Sequence, residues 1–228
     1  MGWTGAFMNR VSQASDGAAP ARPSLPLLAI VASVTLVTFL MALVAGGPLP
    51  GDLSITLWMQ AQLGNRPPWA QLVTDGATMP GVLATIGLVA VLVVGLIGRK
   101  AIFWVAMAFG FARLTDWLLR ASIMIPRPSP DLVAVASPSS SSSLPSTLGL
   151  VYGALYGVLF FSALMSDKGW RHAVAGLSAV MLMLGGIARV VLGGHWASQM
   201  VASLLLGVLL AGGAQIVVSW MALNLGRR

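Results

Sequence analysis

The side chains of this sequence that could do chemistry are a few arginines and one histidine within long apolar stretches. Arg120 and Arg127 are seven residues apart, and Arg189 precedes His195 by six residues. The planar guanidinium group binds phosphate through paired hydrogen bonds, so arginines that converge from separate segments could hold one anion. His195 is then either a packed core residue or a participant in the chemistry, and the surrounding elements decide between the two.

The composition indicates a membrane protein. The chain is 57% hydrophobic and 8% charged, whereas about 25% of the residues of a soluble domain are charged. So few charged residues cannot cover a surface that faces water, but a bilayer accepts apolar side chains all round a helix. Cysteine is absent, which excludes disulfides and thiolate sites. The net charge of +7 is typical of basic cytoplasmic loops in a chain this apolar, so we expect no nucleic-acid partner.

Apolar stretches of roughly 20 residues predict an all-α, polytopic fold with six transmembrane helices. The predicted spans cover about 26–46, 79–98, 101–122, 146–166, 172–193 and 196–223. Helix could begin before the second span, from Trp69 onward. Residues 52–66 could form a short helix in the membrane interface, with Leu57 and Trp58 on its apolar side. The predicted organisation is a flexible cytoplasmic tail at 1–25, a membrane domain at 26–223 and a cytoplasmic tail at 224–228.

The distribution of basic residues predicts the orientation. Six spans place both termini on one side, together with Arg10, Arg22, Arg99, Lys100, Lys168, Arg171, Arg227 and Arg228. By the positive-inside rule this side is cytoplasmic. Tryptophans at both levels suggest aromatic belts, with Trp3, Trp104, Trp170 and Trp220 on the cytoplasmic side and Trp58, Trp69, Trp117 and Trp196 on the other. The arginines that this rule does not explain lie near the outer side: Arg66, Arg113, Arg120, Arg127 and Arg189.

Charged residues inside a membrane are costly and usually face a protein interior or a wet cavity. Arg113, Asp116 and Arg120 are spaced three and four residues apart, which puts them on one face of the third span. One interpretation is that the arginines converge on an anion. The alternative is that they extend to lipid headgroups, or pair with Asp116 and Asp131, and bind no ligand.

Three short motifs give the sequence a resemblance to a known family. The chain has Arg120, six residues and Arg127-Pro128, then "LPSTLG" at 144–149, then Arg189, five residues, His195, three residues and Gln199. This order resembles the type 2 phosphatidic acid phosphatases, the superfamily that includes lipid phosphate phosphatases and vanadium haloperoxidases. Their motifs are Lys, six residues, Arg-Pro; then Pro-Ser-Gly-His; then Ser-Arg, five residues, His, three residues, Asp. The resemblance covers residues from about 27 to 223 and implies a six-helix membrane bundle.

The resemblance also implies roles for individual residues. His195 corresponds to the nucleophile, which attacks phosphorus and forms a phosphohistidine. Arg120, Arg127 and Arg189 correspond to the phosphate-binding arginines, and Ser146 corresponds to a further donor to the phosphate. No metal is implied, since the sequence has no cluster of carboxylates or histidines, and no cofactor is expected.

The sequence departs from the family pattern at two places. The Gly-His of the second motif is missing, and that histidine is the family's general acid; Asp131 is the loop carboxylate that could replace it. The acid that orients the nucleophile is replaced by Gln199. In a serine protease triad the same replacement of an acid by its amide lowers kcat by about 10⁴, and general acid catalysis contributes about 10²–10⁴. The run "SPSSSSS" at 137–143 precedes the altered motif and is predicted to be flexible.

Two interpretations follow, and whether the chain is an enzyme stays open between them. In the first, the protein binds a lipid phosphate or prenyl diphosphate headgroup with impaired hydrolysis, as a pseudoenzyme or as the partner of another membrane protein. In the second, it is an active lipid (pyro)phosphatase or phosphotransferase that uses His195. An active enzyme should prefer a diphosphate such as undecaprenyl pyrophosphate to phosphatidic acid, because a phosphate leaving group needs an acid far less than an alkoxide does. In either case we expect membrane lipids as partners and a location in a bacterial plasma membrane, with the site facing the periplasm or the exterior.

Overall fold

The structure is a computed structural model that describes residues 25–225, and within that range it contains α-helices and no strand. The all-α prediction is therefore confirmed for the described residues. The helices are α1 (Leu25–Ala45), α2 (Asp52–Leu63), α3 (Pro68–Asp75), α4 (Gly81–Ile97), α5 (Ile102–Ser122), α6 (Thr147–Met165), α7 (Arg171–Val191) and α8 (Ala197–Leu225).

Some of the predictions fall on residues that the structure does not describe. The predicted tails lie outside the described range except where residues 25, 224 and 225 are already helical. Five of the residues that support the predicted orientation also lie outside the described range: Trp3, Arg10, Arg22, Arg227 and Arg228.

Five helices have the length and apolar composition to cross a membrane, namely α1, α5, α6, α7 and α8. The chain is thus an integral membrane protein with a helical bundle. The second predicted span is the shorter helix α4, of 17 residues, which is about 25 Å long at 1.5 Å per residue. Its predicted start at residue 79 is two residues early, because Pro80 caps the helix, and Gly98 ends it with a φ of 94°. The helix expected from Trp69 exists as the separate α3.

Helix α6 lies at the centre of the bundle. Its residues from Leu148 to Leu159 are all buried, and glycines let α8 approach it closely. A Cβ on Gly153 would lie 2.3 Å from the carbonyl oxygen of Leu204, and a Cβ on Gly207 would lie 2.5 Å from that of Leu150. Small residues at helix contacts are typical of membrane proteins, where close packing replaces the hydrophobic effect between helices.

The tryptophans divide into core residues and surface residues. Trp58 and Trp117 are 63% and 67% exposed, as lipid-facing residues would be. Trp104 is buried and donates a hydrogen bond to the Ala211 carbonyl over 2.8 Å, and Trp196 is buried as well. The aromatic-belt prediction is therefore wrong for Trp104 and Trp196, because both rings are buried within the protein and do not face lipid.

Candidate active site

The three motif segments meet at one end of the bundle, where α5 and α7 finish and α6 and α8 begin; we call it the His195 end. Residues 123–146 connect α5 to α6, and residues 192–196 connect α7 to α8. Backbone hydrogen bonds hold the longer connection to itself and to the shorter one, from the Ser143 amide to the Ile125 carbonyl over 2.8 Å and from the Ala136 amide to the Leu192 carbonyl over 2.9 Å.

His195 is buried, and one tautomer of its ring fits its surroundings. Its Nδ1 lies 2.6 Å from the carbonyl oxygen of Ser143. Because a carbonyl can only accept, we assign the proton to Nδ1, which leaves a lone pair on Nε2. Nε2 lies 3.3 Å from Nη1 of Arg127. Burial and the nearby charges of Arg189 and Arg127 hold the pKa of His195 well below its usual range, so the ring is neutral at pH 7 and Nε2 can act as a nucleophile.

Arg127 lies beside His195, in the loop between α5 and α6. Its guanidinium donates to the Gly194 carbonyl over 2.9 Å and to the carbonyl and hydroxyl of Ser141 over 3.0 and 2.9 Å. Burial, followed by the charges of Arg189 and Arg120, lowers the pKa of Arg127 to about 10. The proline on each side of Arg127 favours the extended backbone that presents its side chain to the shorter loop.

Arg189 lies in the last turn of α7, and its guanidinium packs against Gly194. A Cβ on Gly194 would lie 2.6 Å from Nη2 of Arg189, so a larger residue there would displace the guanidinium. Among the described residues the ion pairs are Arg113–Asp116 and Arg120–Asp116. Neither Arg127 nor Arg189 has a carboxylate partner there, and the two cations repel each other.

Arg120 is bound much more fully than the other two arginines. Its Nε donates to the Asp116 carboxylate over 2.8 Å, and its other nitrogens donate to the carbonyls of Ser142 and Pro145 and to the Thr147 hydroxyl over 2.8 to 2.9 Å. The alternative interpretation, pairing with Asp116, therefore describes Arg113 and Arg120. In this structure Arg120 fastens the loop to α5, while its charge still acts on His195 and Arg127.

Ser143 is a site residue that the sequence reading missed. Besides its carbonyl contact with the His195 ring, its hydroxyl donates to Oε1 of Gln199 over 2.5 Å. Oε1 also accepts from the Trp196 amide over 3.2 Å, while Nε2 of Gln199 is buried without a hydrogen-bond partner in the described part of the chain. Gln199 is thus near the histidine, as the motif spacing suggested, but acts on the ring through Ser143. A serine within a serine run carries no sequence signal for such a role.

The predicted flexibility of residues 137–143 is wrong for the end of that run. Ser142 and Ser143 are buried, although 137–141 are exposed. The carbonyls of Ser141 and Ser142 accept hydrogen bonds from Arg127 and Arg120. A low-complexity segment is ordered here because its carbonyls accept hydrogen bonds from two half-buried guanidinium groups.

Neither Ser146 nor Asp131 is hydrogen-bonded to His195 in the described structure. Ser146 is buried, and its hydroxyl caps α6 by accepting from the Gly149 amide over 3.3 Å; its role towards phosphate stays a prediction. Asp131 is exposed and accepts a hydrogen bond from the Ser129 hydroxyl over 3.0 Å. No contact between Asp131 and His195 supports the idea that this carboxylate replaces the missing general acid.

A cavity of about 310 Å³ opens beside Arg127. It is lined by the proline-rich segment around Arg127, by serines including Ser139 and Ser141, and by Gly193, and Arg127 is its charged lining residue. Among the described residues, no three His, Cys, Asp or Glu side chains lie close enough to hold a metal ion.

Fold and site together define an integral membrane protein with a buried histidine and three arginines at one end of a helical bundle. The chain is similar to the crystal structure of a transmembrane PAP2-type phosphatidylglycerolphosphate phosphatase from Bacillus subtilis, with 20% sequence identity and a TM-score of 0.64. The match covers 83% of this chain and 94% of that one. The all-α membrane fold implied by the three motifs is therefore confirmed, while the count of six spans stays a prediction. No protein-family model matches the chain, and no curated protein matches it.

Proposed function

We propose that this protein is of the lipid phosphatase kind and binds the phosphate or diphosphate headgroup of a membrane lipid at Arg127, Arg189 and His195, with impaired hydrolysis. The observation that carries the proposal is that Arg127 lies 3.3 Å from His195 Nε2 and Arg189 packs against the neighbouring Gly194, both with no carboxylate partner among the described residues. Uncompensated charge of one sign is unfavourable away from water. A bound anion with two or more negative charges would relieve it.

Impaired hydrolysis follows from the groups around the histidine. Among the described residues no carboxylate and no second histidine contacts His195. The ring hydrogen bond ends on a neutral carbonyl, which gives little stabilisation to the cation that forms when Nε2 attacks phosphorus. A general acid for an alkoxide leaving group is missing as well, and each loss lowers the rate of monoester cleavage.

Hydrolysis of a diphosphate lipid is the second candidate function, and the tautomer of His195 favours it. With Nδ1–H bound to the Ser143 carbonyl, the lone pair lies on Nε2, which can attack once Arg127 turns its donor from the ring to the phosphate. In that step Nε2 attacks the terminal phosphorus: the Nε2–P bond forms and the bond from that phosphorus to the bridging oxygen breaks, so that the lipid monophosphate leaves with the electron pair. The pKa of phosphate is near neutral, and the step therefore proceeds without a strong acid. Water then cleaves the phosphohistidine.

One set of measurements on the purified protein in detergent tests both candidates. Binding of farnesyl diphosphate should be saturable and weakened in Arg127→Gln. Phosphate release is measured from undecaprenyl pyrophosphate and from phosphatidic acid, with His195→Ala as the inactive control. The matched control is His172→Ala, which changes an exposed histidine at the opposite end of the bundle. Release that requires His195 and favours the diphosphate supports the second candidate. Binding without release supports the first, and the absence of binding refutes both.

We further propose six spans, with α4 as the shortest, both termini in the cytoplasm and the His195 end facing the periplasm or exterior of a bacterial plasma membrane. The basic residues at the opposite end, such as Lys168 and Arg171, support this orientation. The chain has no cysteine, so single substitutions report topology directly. A membrane-impermeant maleimide added to intact cells should label Ser140→Cys and leave Lys168→Cys unlabelled. The reverse pattern would invert the orientation.

A further inference from the structure

Helix α2 has a polar face and an apolar face, and the polar face is the one turned towards the protein. Asp52, Thr56 and Gln60, spaced by four residues, are all buried. On the other side Leu57 and Trp58 are 46% and 63% exposed. The sequence predicted a helix in this segment with an apolar side, but not that its buried contacts would be polar.

The polar face of α2 holds both ends of the loop that carries His195. Nε2 of Gln60 donates to the carbonyls of Val191, the last residue of α7, and of Ala134, over 2.9 and 2.7 Å. The Asp52 carboxylate accepts from the amide and the hydroxyl of Ser198, in the first turn of α8, over 2.9 and 2.5 Å. His195 lies between these two fixed points, four residues after one and three before the other.

These contacts fix the position of α2 closely. A buried polar group is costly unless it is hydrogen-bonded, so α2 can dock only where Asp52 and Gln60 both find partners. Oε1 of Gln60 also accepts from the Ala134 amide over 3.1 Å, which ties in the loop between α5 and α6. A shift of α2 would therefore move the backbone on both sides of the histidine.

We infer that α2 is a lipid-contacting positioning element, which rests its apolar face on the membrane interface and holds the His195 loop with its polar face. Its level in the bundle supports a lipid partner for the apolar face. Helix α2 follows the end of α1 at Ala45 after six residues and is fastened where α7 ends and α8 begins. It therefore lies where the membrane-spanning helices meet the interface, the depth that exposed tryptophans such as Trp58 prefer. The consequence for ligand binding rests on the proposed phosphate site, but the positioning itself does not.

The positioning role is tested by the nitrogen NMR signals of the histidine ring. The chain has two histidines, so ¹⁵N-histidine labelling in lipid nanodiscs, with His172→Gln to remove one, leaves the ring of His195 alone. In the parent protein we expect the Nδ1–H tautomer. Gln60→Leu and Asp52→Asn should give a mixture of tautomers, because the loop is no longer held against Ser143. Gln71→Leu and Asp75→Asn, which alter an exposed pair in α3, should leave the spectrum unchanged.

A change in fold and a change in position have different signatures in this experiment. A variant that merely loses stability keeps the parent ring signals in its folded fraction. Unchanged tautomers in both Gln60→Leu and Asp52→Asn would overturn the positioning role. Where the ring is disturbed, the affinity for farnesyl diphosphate should fall by roughly tenfold, as expected for the loss of one or two good hydrogen bonds. Failure of the parent protein to bind that ligand would refute the phosphate site and leave the tautomer result intact.

The lipid contact is tested separately with spin labels. Labels on Leu57→Cys and Trp58→Cys in nanodiscs should be relaxed more strongly by oxygen, which concentrates in lipid, than by a water-soluble nickel chelate. A label on Ser140→Cys, in an exposed loop at the same end, should show the opposite preference. If the labels on α2 are relaxed more strongly by the nickel chelate, or by neither agent, then water or protein covers this face. Either result would overturn the lipid contact.

Discussion

A carboxylate at position 199 should restore hydrolysis, and the structure predicts by how much. Gln199→Glu preserves the acceptor oxygen that binds the Ser143 hydroxyl and the Trp196 amide. The group it replaces, Nε2, has no hydrogen-bond partner among the described residues. The substitution therefore adds a negative charge beside the histidine without removing a hydrogen bond.

The distance to the histidine ring sets the size of the effect. The contacts through Ser143 Oγ measure 2.5 and 3.4 Å, so the Gln199 oxygen lies at most about 6 Å from Nδ1 of His195. Two unit charges at this separation interact by roughly 3 kcal/mol at an effective dielectric constant of about 20. The new charge stabilises the cation that forms as Nε2 attacks phosphorus. We therefore expect hydrolysis to be faster by about a hundredfold, below the factor of about 10⁴ that a direct acid partner provides.

The assay is phosphate release from undecaprenyl pyrophosphate by Gln199→Glu, with Gln199→Leu as the uncharged control. Because the added charge raises the pKa of His195, and Nε2 must be unprotonated to attack, the acid limb of the rate profile should move to higher pH. A Gln199→Glu protein that keeps its thermal stability and its affinity for farnesyl diphosphate, yet is no faster than the parent, would refute the idea that the missing charge limits catalysis.

Three further results are expected. Arg127→Gln should weaken binding of farnesyl diphosphate by about 10- to 100-fold, the loss of a charge-assisted hydrogen bond, while Arg99→Gln at the opposite end should not, as isothermal calorimetry in detergent would measure. Burial and the neighbouring arginines hold the pKa of His195 below the unfolded value of about 6.5, so the unfolded chain binds a proton in acid that the folded protein does not bind. The melting temperature should therefore be constant above about pH 6.5 and decrease below that pH, and this decrease should be absent in His195→Gln. Gly153→Ala should destabilise the protein by about 1–3 kcal/mol through overpacking against α8, whereas Gly87→Ala, whose new Cβ meets nothing within 4 Å, should be neutral or slightly stabilising in thermal denaturation.

The helices were the part of the structure that the sequence could predict. Long apolar stretches give the approximate bounds of the long helices, because a bilayer requires continuous apolar helices of known length; the count of six spans stays a prediction, since five helices have that length. Prolines and glycines set the ends; Pro80 and Gly98, for example, delimit α4. The face of α2 could not be predicted in the same way. Its apolar residues suggested what it would bury, but near a membrane the apolar side can face lipid and the polar side can face the protein.

The site could be predicted for the residues that belong to the three motifs, because the motifs lie at the ends of predicted helices. Arg127, Arg189 and His195 do come together, while Ser146 caps a helix. Ser143 was out of reach of a sequence argument because it acts through its backbone carbonyl, which every residue has. Only the fold determines which carbonyl the ring of His195 meets.

The neutral partner of His195 makes the orientation of the ring depend on the serine run beside it. A carboxylate in the third motif would hold the ring by charge and need little from the preceding loop. With Gln199 in that place, the ring depends on the Ser143 carbonyl, and the carbonyl depends on a loop held by Arg120 and Arg127. Arg127, which is proposed to bind the phosphate, thus also orders the loop that orients the nucleophile. A bound anion would compete with the loop carbonyls for Arg127, so ligand binding and the orientation of the histidine should be coupled in this protein.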